Sequence, residues 1–61
     1  MKREEFITVQ NGVGGYFAVL MVEGELGPEP WQTGFGRYAT REKAVAEARS
    51  WASAEDIRYE A

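Results

Sequence analysis

The feature that most constrains this chain is an uninterrupted apolar run from Tyr16 to Val22. Successive side chains of a β-strand point to opposite faces of its sheet, so both faces of this segment are apolar. A strand that is covered on one side only alternates apolar with polar residues. The run therefore predicts a strand that is either central and covered on both sides, or one that presents an apolar patch to a partner. It is too short to span a bilayer.

The length of 61 residues predicts a single domain, residues 1–61, with a small core. Such a chain buries only about 60% of the surface that its unfolded form exposes, and small domains are commonly reinforced by disulfides, metals or a second subunit. The chain has no cysteine and no histidine. Disulfides, thiolate metal sites and the commonest general base are thus excluded, and we predict no catalytic, cofactor-binding or metal-binding residues.

The order of predicted elements is strand, strand, strand, helix, strand. Asn11-Gly12 is a strong hairpin-turn signal, and Gly14 and Gly15 lengthen that turn. The predicted ranges are strands at 4–10, 16–23, 31–38 and 56–60, a loop at 23–30 and a helix at 41–54. This pattern indicates an α+β fold in which one amphipathic helix packs on one face of a small antiparallel sheet.

The predicted helix begins after Thr40, a residue type that is favourable at the N-cap. Its apolar stripe is made largely of alanine, so it can lie close to the sheet, with Trp51 as its single large anchor. The stripe comprises Ala44, Val45, Ala48, Trp51 and Ala52. In the preceding strand, Gly34 and Gly36 leave room for a bulky group to approach one side.

One helix can cover only one face of the sheet. Three apolar side chains of the second strand, on the other face, must therefore be buried by something else. We predict that Phe17, Val19 and Met21, extended by Trp31 and Phe35, form a partner interface, most simply that of a homodimer. Aromatic residues and methionine are enriched at such interfaces. The alternative is that the loop 23–30 and the N-terminus fold over this face.

A second candidate surface is an acidic rim formed by Glu23, Glu25 and Glu29. Prolines stiffen this segment, so it loses less entropy on docking, and Trp31 follows directly as an aromatic anchor. Such a rim would suit a basic surface of a partner protein. The alternative is a solvated connection with Trp31 turned into the core.

The net charge of −3 argues mildly against nucleic acids and anionic membranes as partners. The alternative function is nonetheless a small nucleic-acid-binding domain, in which strand aromatics stack on bases beside Arg37 and Arg41. Carboxylates are plentiful, but so short a chain has little room for a catalytic cleft, and we expect no small-molecule substrate. No apolar run follows the first residues as an export signal would, which predicts a cytoplasmic location.

The stretch from Gly36 to Ala44, followed by alanines at helical spacing and a closing strand, resembles a pattern of short bacterial and phage proteins. In that pattern a strand ends in Tyr-x-Thr, here Tyr38 to Thr40, and the helix opens with charged residues and alanine. The resemblance covers roughly the last 26 residues. Some phage proteins of similar size and composition, including anti-CRISPR proteins, inhibit host defences. The resemblance implies a non-catalytic inhibitor or adaptor that binds another protein.

Overall fold

The computed structural model describes residues 4–60, and it confirms the α+β class and the predicted order of elements. The predicted domain also includes residues 1–3 and 61, which lie outside the described residues. The elements are β1 (Glu5–Gly12), β2 (Gly15–Gly24), β3 (Gly27–Thr33), α1 (Arg41–Glu55) and β4 (Arg58–Tyr59).

The four strands form one sheet in the order β3-β2-β1-β4. The sheet is mixed, because β4 pairs with β1 in parallel while the other pairs are antiparallel. The reason is the crossover: α1 carries the chain back along the sheet, so that β4 runs in the same direction as β3, and β3 runs in the same direction as β1. The prediction of a purely antiparallel sheet was wrong in this one pairing.

The predicted hairpin of β1 and β2 is confirmed, but its turn is Val13-Gly14, because Asn11 and Gly12 belong to β1. The register runs from Glu5 opposite Val22 to Gly12 opposite Gly15 without interruption. Gly14 and Gly15 have φ angles of 91° and 123°, which are accessible to glycine and costly for other residues. β2 lies between β1 and β3, so the apolar run does form a central strand.

The predicted bounds of the third strand were wrong. The segment 23–30 was predicted to be a loop and 31–38 a strand, whereas β2 extends to Gly24 and β3 begins at Gly27. Pro28 and Pro30 are tolerated because β3 is an edge strand, where an outward-facing position needs no N–H group. In the remainder of the predicted segment 31–38, Tyr38 pairs again, in an isolated antiparallel bridge with Tyr16.

α1 packs on β1, β2 and β4 through its alanines. Ala44, Ala48 and Ala52 are buried, while Val45 and Trp51 are half-buried. The core of this layer joins Ile7, Ala18 and Leu20 of the sheet to the helix, with Val9, Trp51, Ile57 and Tyr59 packed around it. Thr40 is the N-cap residue as predicted, but its hydroxyl makes no capping hydrogen bond. It therefore lacks the stabilisation that such a bond gives.

Two long polar side chains of the protein itself lie on the helix-free face. The guanidinium of Arg37 lies 4.1 Å from the ring centroid of Phe17. The amide nitrogen of Gln10 lies 3.9 Å from the sulfur of Met21. Val19 is fully buried and Met21 is 9% exposed. Polar side chains can lay their stems over apolar surface in this way. The N-terminus, which was predicted as cover together with the segment 23–30, includes residues 1–3, outside the described residues.

The residue that follows the C-terminus of α1 leads to a prediction about the stability of the protein. Asp56 adopts the left-handed conformation with φ 57° and ψ 45°, and no basic residue lies in the last helical turn. Glycine removes the steric cost of this conformation, and it also removes a negative charge from the negative end of the helix dipole. We expect Asp56→Gly to raise the free energy of unfolding by about 0.5–1 kcal/mol in a urea titration.

The matched control is Asp56→Asn, which removes the charge but keeps a side chain that tolerates this conformation. It should recover only the electrostatic part of the gain. A glycine variant that melts below the unmodified protein would contradict the prediction.

Candidate functional site

Four large apolar side chains are conspicuously exposed among the described residues. Val13 and Leu26 are 97% and 102% exposed, and each lies in the turn of a hairpin. Trp31 and Phe35 are 65% and 105% exposed, and they lie on β3 and on the loop that follows it. We call Trp31 and Phe35 the aromatic edge. Exposed aromatic rings that lie close together in the chain are the stronger indication of a binding surface.

Trp31 is exposed because β3 contains a β-bulge at this position. Gln32 is opposite Leu20 and Pro30 is opposite Met21, so Trp31 is the extra residue of the edge strand. Bulges commonly redirect a side chain in this way. The alternative in which Trp31 turns into the core is therefore excluded by its exposure.

Phe35 lies on a short excursion of the chain between two fixed points on β2. Before it, the amide of Gly34 donates to the carbonyl oxygen of Ala18 at 2.8 Å. After it, Tyr38 and Tyr16 exchange two backbone hydrogen bonds of 2.8 and 2.9 Å. The loop therefore begins and ends on the same strand edge, and Phe35 is held away from that edge.

The backbone of this loop is also fixed by Glu47 of the helix. The Glu47 carboxylate accepts hydrogen bonds from the amide of Phe35 at 2.9 Å and from the amide of Gly36 at 3.4 Å. The same carboxylate accepts from the Tyr38 hydroxyl and so raises the pKa of Tyr38, with smaller contributions from desolvation and from the negative charge of Glu47. A charge-assisted contact to two amides orders the loop more than one neutral bond does.

Sequence reasoning missed this role of Glu47, which lies outside the predicted apolar stripe of the helix. The indirect signal was the pair Gly34 and Gly36, which predicted the approach of a bulky group. A Cβ atom at Gly34 would collide with the Glu47 carboxylate, and one at Gly36 would lie 2.6 Å from the Tyr38 hydroxyl oxygen. The bulky neighbours are thus a helix side chain and an aromatic ring.

A groove of about 350 Å³ opens beside Phe35, between the end of β3 and the helix. It exists because α1 packs on β1, β2 and β4 and makes no close approach to β3. The strand and loop side is lined by Gln32, Thr33, Gly34 and Phe35, and the helix side by Glu47, Ser50, Trp51, Ala54 and Glu55. Trp51 thus has two roles, since it packs against the core and also forms part of the groove wall.

The predicted acidic rim lies at the end of the β2–β3 hairpin. Glu23, Glu25 and Glu29 are all exposed. The side chain of Glu29 lies against Gly24, where a Cβ atom would come within 2.9 Å of its carboxyl carbon. Within residues 4–60, both ion pairs involve Arg58, on the opposite edge of the sheet. The negative charge on the β3 side is therefore left without an ion pair among the described residues.

Neither of the arginines proposed for nucleic-acid binding lines the groove beside Phe35. Arg37 lies over Phe17 on the helix-free face, and Arg41 is the first residue of the helix. The charged side chains that line the groove beside Phe35 are carboxylates, which repel phosphate.

Among residues 4–60, no group of three or more potential metal ligands comes together. The one described helix is not long and apolar enough to cross a membrane. Comparison with protein-family models, with curated proteins and with solved structures finds no match to this chain.

Proposed function

We propose that this chain is a non-catalytic protein-binding module that self-associates and acts in the cytoplasm as an inhibitor or adaptor, with the aromatic edge as its contact surface. The observation that carries the proposal is Phe35, whose ring is fully exposed on a loop that three backbone hydrogen bonds and the Glu47 carboxylate hold in place. On a flexible loop, an apolar side chain would fold back onto the protein surface. The ordered loop instead keeps the Phe35 ring exposed to solvent.

The energetics support a role of the aromatic edge in binding. Full burial of a phenylalanine side chain is worth about 1.5–3 kcal/mol. Because the loop is already ordered, little of that gain is lost to fixing the backbone on association. Trp31 adds a second large ring of the type most enriched among binding hot spots.

The geometry of β3 also limits the ways in which a partner could bind at this edge. Pro28 and Pro30 lack the N–H groups with which an edge strand would pair with a further strand, and the bulge at Trp31 interrupts the pleat. Addition of a partner strand to β3 is therefore disfavoured. The partner is recognised through side chains.

The test compares Phe35→Ala and Trp31→Ala with Leu26→Ala and Val13→Ala, which remove apolar side chains that are nearly fully exposed elsewhere. Immobilised protein is used to capture partners from a bacterial lysate, and bound proteins are identified by mass spectrometry. We expect both edge variants to lower the affinity for a captured protein by about 30-fold or more, the effect of a 2 kcal/mol hot spot, and both controls to leave it unchanged. Equal capture by all four variants would place the contact surface elsewhere.

Self-association is measured separately by sedimentation equilibrium. We expect a dimer or larger species at about 100 μM, a concentration that populates even interfaces of roughly 6 kcal/mol. Phe35→Ala should return the protein to the monomer. A monomer of the unmodified 6.9 kDa chain at this concentration would refute self-association and leave capture of a different partner to be judged alone.

A further inference from the structure

We infer that the groove between β3 and α1 binds an arginine side chain of the partner protein. The inference rests on the proposed function and names the chemistry that this site recognises. Three observations carry it: the groove has an aromatic wall, it is lined by carboxylates, and it lies at the negative end of the helix.

The aromatic wall is Trp51, which is half-buried and lines the groove together with Ala54 and Phe35. Guanidinium groups stack on aromatic faces and are weakly hydrated, so they enter partly apolar sites more readily than ammonium groups do. Gln32 and Ser50 line the same groove and supply neutral hydrogen-bond acceptors.

The carboxylates are Glu47 and Glu55. Glu47 is already engaged by two loop amides and by the Tyr38 hydroxyl, so its role is to hold the loop and to add negative charge. Glu55 is exposed, and it belongs to neither of the ion pairs within the described residues. Glu55 is therefore the group that can pair with the guanidinium.

The helix end provides independent support. Glu55 is the last residue of α1 and Asp56 follows it, while the last turn carries no basic residue. Acidic residues at a helix C-terminus lie at the negative end of the dipole, an arrangement that is unfavourable in the isolated protein. A cation bound beside Glu55 would compensate this charge, and the aromatic edge would contact the rest of the partner.

The experiment is a titration of the protein with the peptide acetyl-Gly-Arg-Gly-amide, followed by amide chemical shifts in ¹H–¹⁵N spectra. The matched ligand contains citrulline, which has the shape of arginine and no charge. We expect saturable shifts confined to 32–36, 47–51 and 54–56, with arginine favoured over citrulline and with affinity falling as salt is raised. In a Trp31→Phe background, the remaining indole of Trp51 should change its fluorescence in the same titration.

The deciding variant is Glu55→Gln, and its control is Glu42→Gln, an exposed glutamate in the first turn of the same helix. Glu55→Gln should weaken binding of the arginine peptide about two- to fivefold, as expected for an exposed ion pair, and Glu42→Gln should not. Shifts that are absent from the groove, or equal affinities for the two variants, would overturn the inference. The titration uses no captured target, so its outcome is independent of the capture experiment. Failure of the arginine inference can therefore be distinguished from failure of the proposed function.

Discussion

Replacement of Ile7 by alanine is expected to remove half or more of the stability of this protein. Ile7 is fully buried and packs in the layer between the sheet and α1, where three of the four other buried residues are alanines. A buried isoleucine-to-alanine change costs about 2–5 kcal/mol, because apolar area is lost and a cavity remains. The whole domain is stable by only about 3–9 kcal/mol if it follows the usual value per residue.

Urea denaturation followed by circular dichroism measures this loss. Ile7→Val provides a graded intermediate, with an expected cost of about 0.5–1.5 kcal/mol. Val13→Ala is the surface control, since Val13 is 97% exposed, and it should stay within about 0.5 kcal/mol of the unmodified protein. If Ile7→Ala cost no more than the surface control, the core would have to lie elsewhere.

The second large effect is expected at Gly15, where two independent constraints coincide. Its φ of 123° is unfavourable for any side chain, and an added Cβ would lie 3.1 Å from the carbonyl carbon of Tyr38 and closer still to the oxygen. Gly15→Ala must therefore displace the backbone that pairs Tyr16 with Tyr38. Loss of those two hydrogen bonds adds about 1–3 kcal/mol to the conformational cost of about 1–2 kcal/mol.

Gly27 offers a matched control for this substitution. Its φ is 114°, yet nothing lies within 4 Å of an added Cβ. Gly27→Ala thus reports the conformational cost alone, and the difference between the two variants reports the steric one. Hydrogen exchange of the Tyr16 and Tyr38 amides should accelerate in Gly15→Ala and remain slow in Gly27→Ala. Equal stabilities and equal exchange rates would show that the bridge contributes nothing.

The sequence predicted those parts of the fold that depend on local patterns. The first hairpin and α1 were both predicted, because turn signals and helical spacing act within a few residues. The turn itself lies at Val13-Gly14, two residues beyond Asn11-Gly12, which are paired in β1. The bounds of β3 were mistaken, because Pro28 and Pro30 oppose a strand in general and are tolerated only at an edge. Whether a strand lies at an edge is decided by the order of all four strands, which no local pattern contains.

The candidate site was predictable only in part, for a similar reason. The composition drew attention to Trp31, Phe35 and the glutamates of the β2–β3 hairpin. It could not show that Arg37 covers Phe17, or that Glu47 holds the loop of Phe35, since both contacts join segments that are distant in sequence. Val19 and Met21 were assigned to an interface on the strength of their apolar type, and the same apolar type led the fold to bury them.

The prolines of β3 bear on how the protein behaves at high concentration. Exposed aromatic rings next to an unpaired strand edge are the features from which cross-β fibrils grow. Here the rings of Trp31 and Phe35 lie beside an edge in which Pro28 and Pro30 offer no amide hydrogen to an incoming chain. The two prolines therefore disfavour the addition of a further strand beside the exposed rings, and so lower the tendency of this edge to grow into a fibril.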